Sequence, residues 1–237
     1  MIRHITFSDE NMTVSAIRCQ ETAYSTGKCD YSIFLDPNDY LGNELFCNKN
    51  KSILAQPKGC GYWLWKPYLI LTFLEQMQEG NYLIYTDAGI EFVNSVQPLI
   101  ESMDESCLLF QNNWKHADWC KGDVYKLTPG YEGKQLQASA MIFKVCQESI
   151  DFVREWLTLC ETPGLIDDSP SITPNQPGFQ EHRHDQAILT ALQVQKGIKA
   201  HWWPAMYNGG QFVYDKGDHK DIYPVIFHHH RKRNNEW

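Results

Sequence analysis

The chain has no uninterrupted apolar run approaching the roughly 20 residues that cross a bilayer, which argues against a membrane-spanning helix. Its first residues, Met1-Ile2-Arg3-His4-Ile5-Thr6-Phe7-Ser8-Asp9, reach an acid too early for the apolar centre of a secretory leader. The expected location is the cytoplasm, or a peripheral position at the cytosolic face of a membrane. Positive charge is also short. With 21 Lys and Arg against 29 Asp and Glu, the formal charge is −8, so the basic stripe that displaces counterions from a phosphate backbone is missing and nucleic acid is not an expected partner. Cysteines at metal or redox spacing are missing too. Cys19, Cys29, Cys47, Cys60, Cys107, Cys120, Cys146 and Cys160 include no C-x-x-C pair, which excludes zinc-ribbon and dithiol readings and leaves small buried apolar residues as their role. Neither an internal repeat nor a linker interrupts the 237 residues, so a single domain over 1–237 is expected.

What is present is apolar and aromatic. Hydrophobic residues make up 43% of the chain, with 8 Trp, 12 Tyr and 11 Phe, enough for a sizeable core and for flat faces on which the C–H faces of sugar rings can stack. The patterning reads as an α/β domain: strand Ile2–Phe7, helix Thr13–Tyr24, strand Tyr31–Leu35, and loop or short helices over Asp36–Gly61. A helix follows from Lys66, with Pro67 in its first turn and Gly80 past its end. The buried strand Tyr82–Thr86 then stops at Asp87-Ala88-Gly89. Further on, helices are expected at Ser95–Met103, Lys121–Leu127, Gln147–Cys160 and His184–Gln195, and strands at Cys107–Gln111, Gln137–Phe143 and Ile198–Trp202, before a last apolar run at Val225–Phe227. Four prolines between Thr162 and Phe179 mark a long irregular loop, more in keeping with a lid or binding loop than with a linker.

Three groups of residues carry chemistry. In Gly61-Tyr62-Trp63-Leu64-Trp65-Lys66-Pro67, a lysine at a helix start can receive a diphosphate, and Asp87 at the end of the next strand can hold a divalent cation bridging the same phosphates. The same residues also suit a Trp-rich core contact and an Asp capping a turn. In Glu181-His182-Arg183-His184-Asp185-Gln186, charge opens a helix, where an aspartate equally serves as a cap or dipole partner. In His228-His229-His230-Arg231-Lys232-Arg233, His228 and His230 share a face if the segment is extended, and a solvated chain end is the alternative.

G-Y-W-x-W-K-P followed by Y-x-D-A-G resembles the GT-A glycosyltransferases, in particular small transferases of bacterial surface-polysaccharide clusters and of large algal viruses, including a viral β-L-rhamnosyltransferase domain. The resemblance spans most of the chain. It implies a Rossmann-like GT-A domain with a mixed, mostly parallel central sheet flanked by helices, binding nucleotide-sugar over about 1–115 and acceptor over about 116–237. It implies transfer of a hexose or deoxyhexose from a nucleotide-sugar, a UDP-sugar first, to a glycan hydroxyl, inverting and assisted by Mn²⁺ or Mg²⁺.

Residue by residue, the resemblance gives Lys66, Trp65, Asp87, Ala88, Gly89 and Arg231 to the nucleotide-sugar. Asp185 is the base that takes the acceptor proton, and His184, Arg183 and Trp63 position acceptor or sugar. Asp87, His228 and His230 are the metal ligands. Gly89 stands where a second Asp often stands, so that Glu91 would have to add a carboxylate, or the missing side chain would admit the sugar close to the backbone. Trp119–Tyr125, with Lys121 and Asp123, and Gln137–Phe143 would flank the substrates, although a tightly packed strand accounts equally for the small residues of Ala138–Ala140 and a structural role equally for Lys121 and Asp123. Two rival readings are an inactive nucleotide-sugar or carbohydrate-binding module of the same fold and a metal-dependent hydrolase built on His182, His184, Asp185 and the terminal histidines.

Overall fold

A computed structural model describes residues 1–207 and 223–237. Strand β1 (Ile2–Phe7), helix α1 (Thr13–Ser25) and strand β2 (Tyr31–Leu35) open the chain as their patterning predicts. Four short pieces follow: α2 (Asn38–Leu41), α3 (Glu44–Lys49), α4 (Lys51–Leu54) and the turn α5 (Gly59–Tyr62). They lead into helix α6 (Trp65–Gln76), strand β3 (Tyr82–Asp87), the short strand β4 (Ile90–Phe92) and helix α7 (Gln97–Glu101). Strand β5 (Cys107–Lys115), α8 (Gly122–Tyr125), strand β6 (Lys134–Lys144), helix α9 (Gln147–Cys160) and helix α10 (His184–Lys196) come next. Strands β7 (Ala200–His201), β8 (Ala205–Tyr207) and β9 (Phe227–His229) complete the set.

Six strands form the central sheet in the order β2-β1-β3-β6-β5-β7. β1 runs parallel to β2 and β3, and β5 parallel to β7, while β6 lies antiparallel between β3 and β5. Both faces are covered, so alternate residues of one strand feed opposite cores. Leu83 and Tyr85 of β3 pack with α6, α9 and α10, whereas Ile84 packs with Cys19, Phe92 and Leu99 on the other side. The short β4 and β8 have no counterpart in the sequence reading. With β9 they make a second sheet in the order β4-β9-β8 that brings the chain end against residues 90–92.

Asp87 ends β3 beside Phe7 of the parallel β1, at the carboxyl edge where open α/β sheets place ligands. On the far side, the β5–β6 ladder loses register between Leu109 and Gln111. An irregularity of this kind releases backbone groups from pairing: the Ala138 carbonyl accepts from Lys66 Nζ at 3.1 Å, and the Ala138 N–H faces Gln186 Oε1 at 3.5 Å.

The proline-rich stretch has no helix or strand from 161 to 183, as expected. Lys121 and Asp123 are what fasten it. Lys121 Nζ donates to the Ser169 and Asp167 carbonyls at 2.8 and 3.2 Å, and the Asp123 carboxylate accepts the Ile172 and Thr173 N–H groups, both at 2.8 Å. Burial pushes the Asp123 carboxyl up, but these backbone donors outweigh it and hold the group well below its usual range. A Cβ on Gly122 would meet the Thr173 carbonyl at 2.2 Å. Lys121 and Asp123 are thus loop clamps. Asp123→Ala is expected to speed limited proteolysis within 162–179, read by fragment mass, and unchanged cleavage would remove the clamp from the account.

All eight cysteines are free thiols. Burial pushes Cys19, Cys29 and Cys107 up to about 12, which suits packing and not nucleophilic chemistry. Among the described residues no helix is long and apolar enough to cross a membrane.

Candidate active site

Sequence dictates the site first through a turn of unusual hand. Gly59, Cys60, Gly61, Tyr62 and Trp63 all have positive φ, from 52° to 92°, so the chain makes a left-handed turn immediately before the right-handed α6. Such a conformation costs an L-residue about 1–2 kcal/mol, and here three of the five successive residues, Cys60, Tyr62 and Trp63, are not glycine. Surrounding contacts hold it: Trp65 Nε1 donates to the Gly59 carbonyl at 2.9 Å, and the Tyr62 ring stacks on His184 at 4.8 Å. The reversal places Trp63 at a cleft and sends Trp65 inward, where its indole lies 3.7 Å from the Phe7 ring and is 4% exposed.

The cleft has two lobes that share Trp63 and Asp87. One, of about 270 Å³, is bordered by Lys58, Lys66, Trp114, Arg183, Asp185 and Arg231 as well as those two. The other, of about 180 Å³, is bordered by Ser8, Asp9, Trp65, Ala88 and Gly89. A larger depression of about 880 Å³ beside α1 and β2 is an open surface without a Lys or Arg, bordered by Glu21, Tyr24, Asp30 and Tyr31. The chemistry converges on the first cleft.

At its floor, Lys66 Nζ lies 3.3 Å from Asp87 Oδ1 and 3.1 Å from Asp185 Oδ2, with the lysine side chain 3% exposed. The Ala138 carbonyl is its third partner. Burial opposes the charge on Lys66, but the two carboxylates more than restore it, so the ammonium is held above its ordinary value. Asp87 is also opposed by burial, yet Lys66 and the Tyr85 hydroxyl, which donates to Oδ1 at 2.6 Å, hold it below the usual carboxylate range.

Asp185 differs. Burial dominates and pushes it up to about 6 in spite of Lys66, and its Oδ2 has the ammonium nearby but no well-formed hydrogen bond. Trp156, fully buried on α9, fixes this end of α10 by donating from Nε1 to the Asp185 carbonyl at 3.0 Å.

Around the mouth, Arg183 lies over a pair of stacked indoles, its guanidinium carbon 4.7 Å from the Trp114 ring and 4.5 Å from the Trp119 ring. His184, with φ of 43°, donates from Nδ1 to the Ile166 carbonyl at 2.7 Å, and its buried Nε2 has no hydrogen-bond partner. Burial lowers its pKa, so the ring is neutral near pH 7. Arg231 is exposed and donates from Nε to His229 Nε2 at 3.1 Å. Four cations, Lys58, Lys66, Arg183 and Arg231, border the larger lobe against two carboxylates, Asp87 and Asp185. Lys58 is paired with Asp168 at 3.2 Å and Arg183 with Glu181 at 2.7 Å, so in a chain of charge −8 it is Arg231, with no acidic partner among the described residues, that favours an anionic ligand here.

The structure therefore gathers Lys66, Asp87, Asp185, Trp63, Arg183, His184 and Arg231 around the larger lobe, and Trp65, Ala88 and Gly89 around the smaller. Two expectations need revision. Lys66 does not stand free at a helix start to receive phosphate, because three protein oxygens already surround its ammonium. Gly89 admits the chain end: a Cβ there would lie 2.9 Å from Arg231 Cα, and the Gly89 carbonyl accepts the His230 and Arg231 N–H groups at 2.9 and 3.1 Å. Of the other lining residues, Gln137 and Ser139 lie in the segment Gln137–Phe143 and Gln186 in the group Glu181–Gln186, whereas Lys58 and Trp114 have no expectation from sequence, because nothing local to them marks the cleft.

The expected metal set Asp87, His228 and His230 is not brought together. In β9, His228 pairs with Glu91 of β4 and its Nδ1 lies 3.6 Å from the Glu91 carboxylate, which also pairs with Arg18. His230 packs edge-on to Trp237. The histidine within electrostatic reach of Asp87 is His229, and burial lowers its pKa to about 3. Its Nε2 accepts from Arg231 and its Nδ1 faces the Tyr207 hydroxyl at 3.3 Å. The grouping of His182, His184 and Asp185 required for a hydrolase does not converge either, since His182 Nε2 and His184 Nδ1 each donate to a backbone carbonyl. Among the described residues, no three His, Cys, Asp or Glu side chains are grouped to hold a metal ion. The donors present among the described residues do not fit a resident divalent cation.

No protein-family model matches the chain, and no curated protein matches it by sequence. Solved structures do match it in shape. Mouse xyloside xylosyltransferase 1 in its apo form superimposes with a TM-score of 0.56 at 11% identity, covering 100% of this chain and 99% of that one. The galactosyltransferase LgtC, in complex with donor and acceptor sugar analogues, gives 0.53 at 12% identity over 97% of this chain and 87% of that one. The bifunctional glycosyltransferase WbbM gives 0.53 at 11% identity over 88% of this chain and 40% of that one. At these identities the likeness establishes the fold, which is GT-A.

Proposed function

We propose that the chain transfers a sugar, a hexose or deoxyhexose, from a nucleoside-diphosphate donor to a hydroxyl of a glycan acceptor. One observation carries the reading: two carboxylates, Asp87 and Asp185, share a buried ammonium at the floor of a cleft whose rim bears Lys58, Arg183 and Arg231. The GT-A fold places that cleft at the carboxyl edge of the sheet.

The cationic rim meets the diphosphate, with Arg231 as its main contact, while Asp87 and the smaller lobe receive nucleoside or sugar hydroxyls. Trp63, the Trp114–Trp119 pair and Arg183 hold the acceptor. The division into a donor part of about 1–115 and an acceptor part of about 116–237 is thus crossed in both directions, since Arg231 of the second part serves the donor and Trp63 and Trp114 of the first serve the acceptor. In the reaction, the bond from the anomeric carbon to the diphosphate oxygen breaks and its electron pair leaves with the diphosphate. The acceptor oxygen bonds to the anomeric carbon, and its proton passes to Asp185. Attack from the face opposite the leaving group inverts the configuration. Electrostatic stabilisation of the departing charge is the largest contribution available to such a site.

Calorimetry with UDP, GDP and dTDP, with UDP expected to bind tightest, tests the donor half. Arg231→Ala should weaken the binding nucleotide by about 10- to 100-fold, since a charge-assisted hydrogen bond contributes roughly 1.5–3 kcal/mol. Binding without transfer to any glycan acceptor would make the protein a binding module, and unaltered affinity in Arg231→Ala would move the diphosphate elsewhere.

A further inference from the structure

Lys66 occupies the place that a cation shared by Asp87 and Asp185 would take. An ammonium has three N–H groups, and three oxygens surround this one: Asp87 Oδ1 at 3.3 Å, Asp185 Oδ2 at 3.1 Å and the Ala138 carbonyl at 3.1 Å. Mg²⁺ requires about six oxygen ligands near 2.0–2.1 Å, and to enter here it would have to displace a lysine that is 3% exposed. Among the described residues, the neighbouring donors do not offer a second seat. Tyr85 caps Asp87 Oδ1, Glu91 is turned to Arg18 and His228, and both nitrogens of His229 are engaged. A carboxylate at position 89 is sterically barred by the Arg231 backbone.

We infer that the site works without a divalent cation. Lys66 is its internal positive charge, holding Asp87 and Asp185 in place, and the charge that faces the diphosphate is supplied by Arg231 and Lys58 from the rim. The inference rests on the glycosyl-transfer reading and specifies its electrostatics. Lys66 is a positioning residue here, because protein oxygens ring its buried ammonium.

The test combines nucleotide calorimetry with thermal shift. UDP, GDP and dTDP are titrated in EDTA and in Mn²⁺. The nucleotide that binds should do so with the same affinity, within about two-fold, in both conditions, and Mn²⁺ alone should not raise the melting temperature of the natural protein. Lys66→Met leaves two carboxylates facing each other without their counterion, and this variant should acquire a Mn²⁺-dependent rise in melting temperature. The double variant Lys66→Met/Asp185→Asn removes that repulsion and should fold without acquiring the rise. A nucleotide affinity at least about ten-fold higher in Mn²⁺ for the natural protein, or a Mn²⁺ shift in the natural protein as large as in Lys66→Met, would overturn the inference and leave the transfer reading standing. Absence of binding by all three nucleotides in both conditions would overturn both.

Discussion

Asp185→Asn is expected to lower the transfer rate by about 10²- to 10⁴-fold, the usual contribution of a general base, while leaving nucleotide affinity within about three-fold. The substitution keeps the volume of a side chain that is 4% exposed and keeps an oxygen that can face Lys66. What it removes is the capacity to take a proton. Because burial pushes Asp185 up to about 6, the ionised form that acts as base is lost as pH falls through that value. The natural protein should therefore show an acid limb in kcat/KM for transfer near pH 6, and the residual activity of the variant should lack it.

The same shift has a consequence for stability. The folded-state pKa lies above the ordinary carboxylate value, so the native protein holds this proton more tightly than the unfolded chain does. The associated stabilisation is present below that ordinary value and is lost as pH rises through about 6. Denaturant midpoints measured across that window should fall less in Asp185→Asn than in the natural protein. A variant retaining transfer within about ten-fold would show that the proton goes elsewhere.

Elements whose information is local were readable from sequence. The strands Ile2–Phe7 and Tyr31–Leu35 and the helix Gln147–Cys160 have their expected bounds, because period-2 and period-3.6 patterns and flanking breakers sit within a few residues of each other. β4, β8 and the β9 pairing were not readable. Each strand is three residues long, and Ile90 finds His229 across most of the chain. That register explains the histidines: alternation puts His228 and His230 on one face and His229 on the other, but only the pairing with β4 decides which face turns toward Asp87.

Lys66, Asp87 and Asp185 were each legible as chemistry from residue type and position in an element. Their mutual distances were not, since they depend on how α6, β3 and α10 pack and on the ladder irregularity that frees the Ala138 carbonyl. Lys121 and Asp123 show the converse. A motif that reads as substrate-binding serves to fasten a loop about fifty residues further along, and only the tertiary structure reveals its partners.

Gly59→Ala is expected to be strongly destabilising and to damage the cleft together with the fold. At φ of +60° the new Cβ would lie 2.4–2.6 Å from the Trp63 ring, so the left-handed strain and a steric overlap arrive together, about 2–4 kcal/mol in total. For a domain of this size that is roughly 5–15 °C in melting temperature. Gly80→Ala isolates the backbone share: its φ is +83°, but nothing lies within 4 Å of the added carbon. It should cost only about 1 kcal/mol and leave kinetics unchanged. Relief of the overlap in Gly59→Ala requires Trp63 to leave the wall shared by the two lobes, so KM for the acceptor should rise in this variant alone. Equal losses of stability in the two variants would show that the indole yields freely, and an unchanged KM in Gly59→Ala would remove Trp63 from the acceptor wall. The left-handed turn matters for function only if both measurements separate the two glycines.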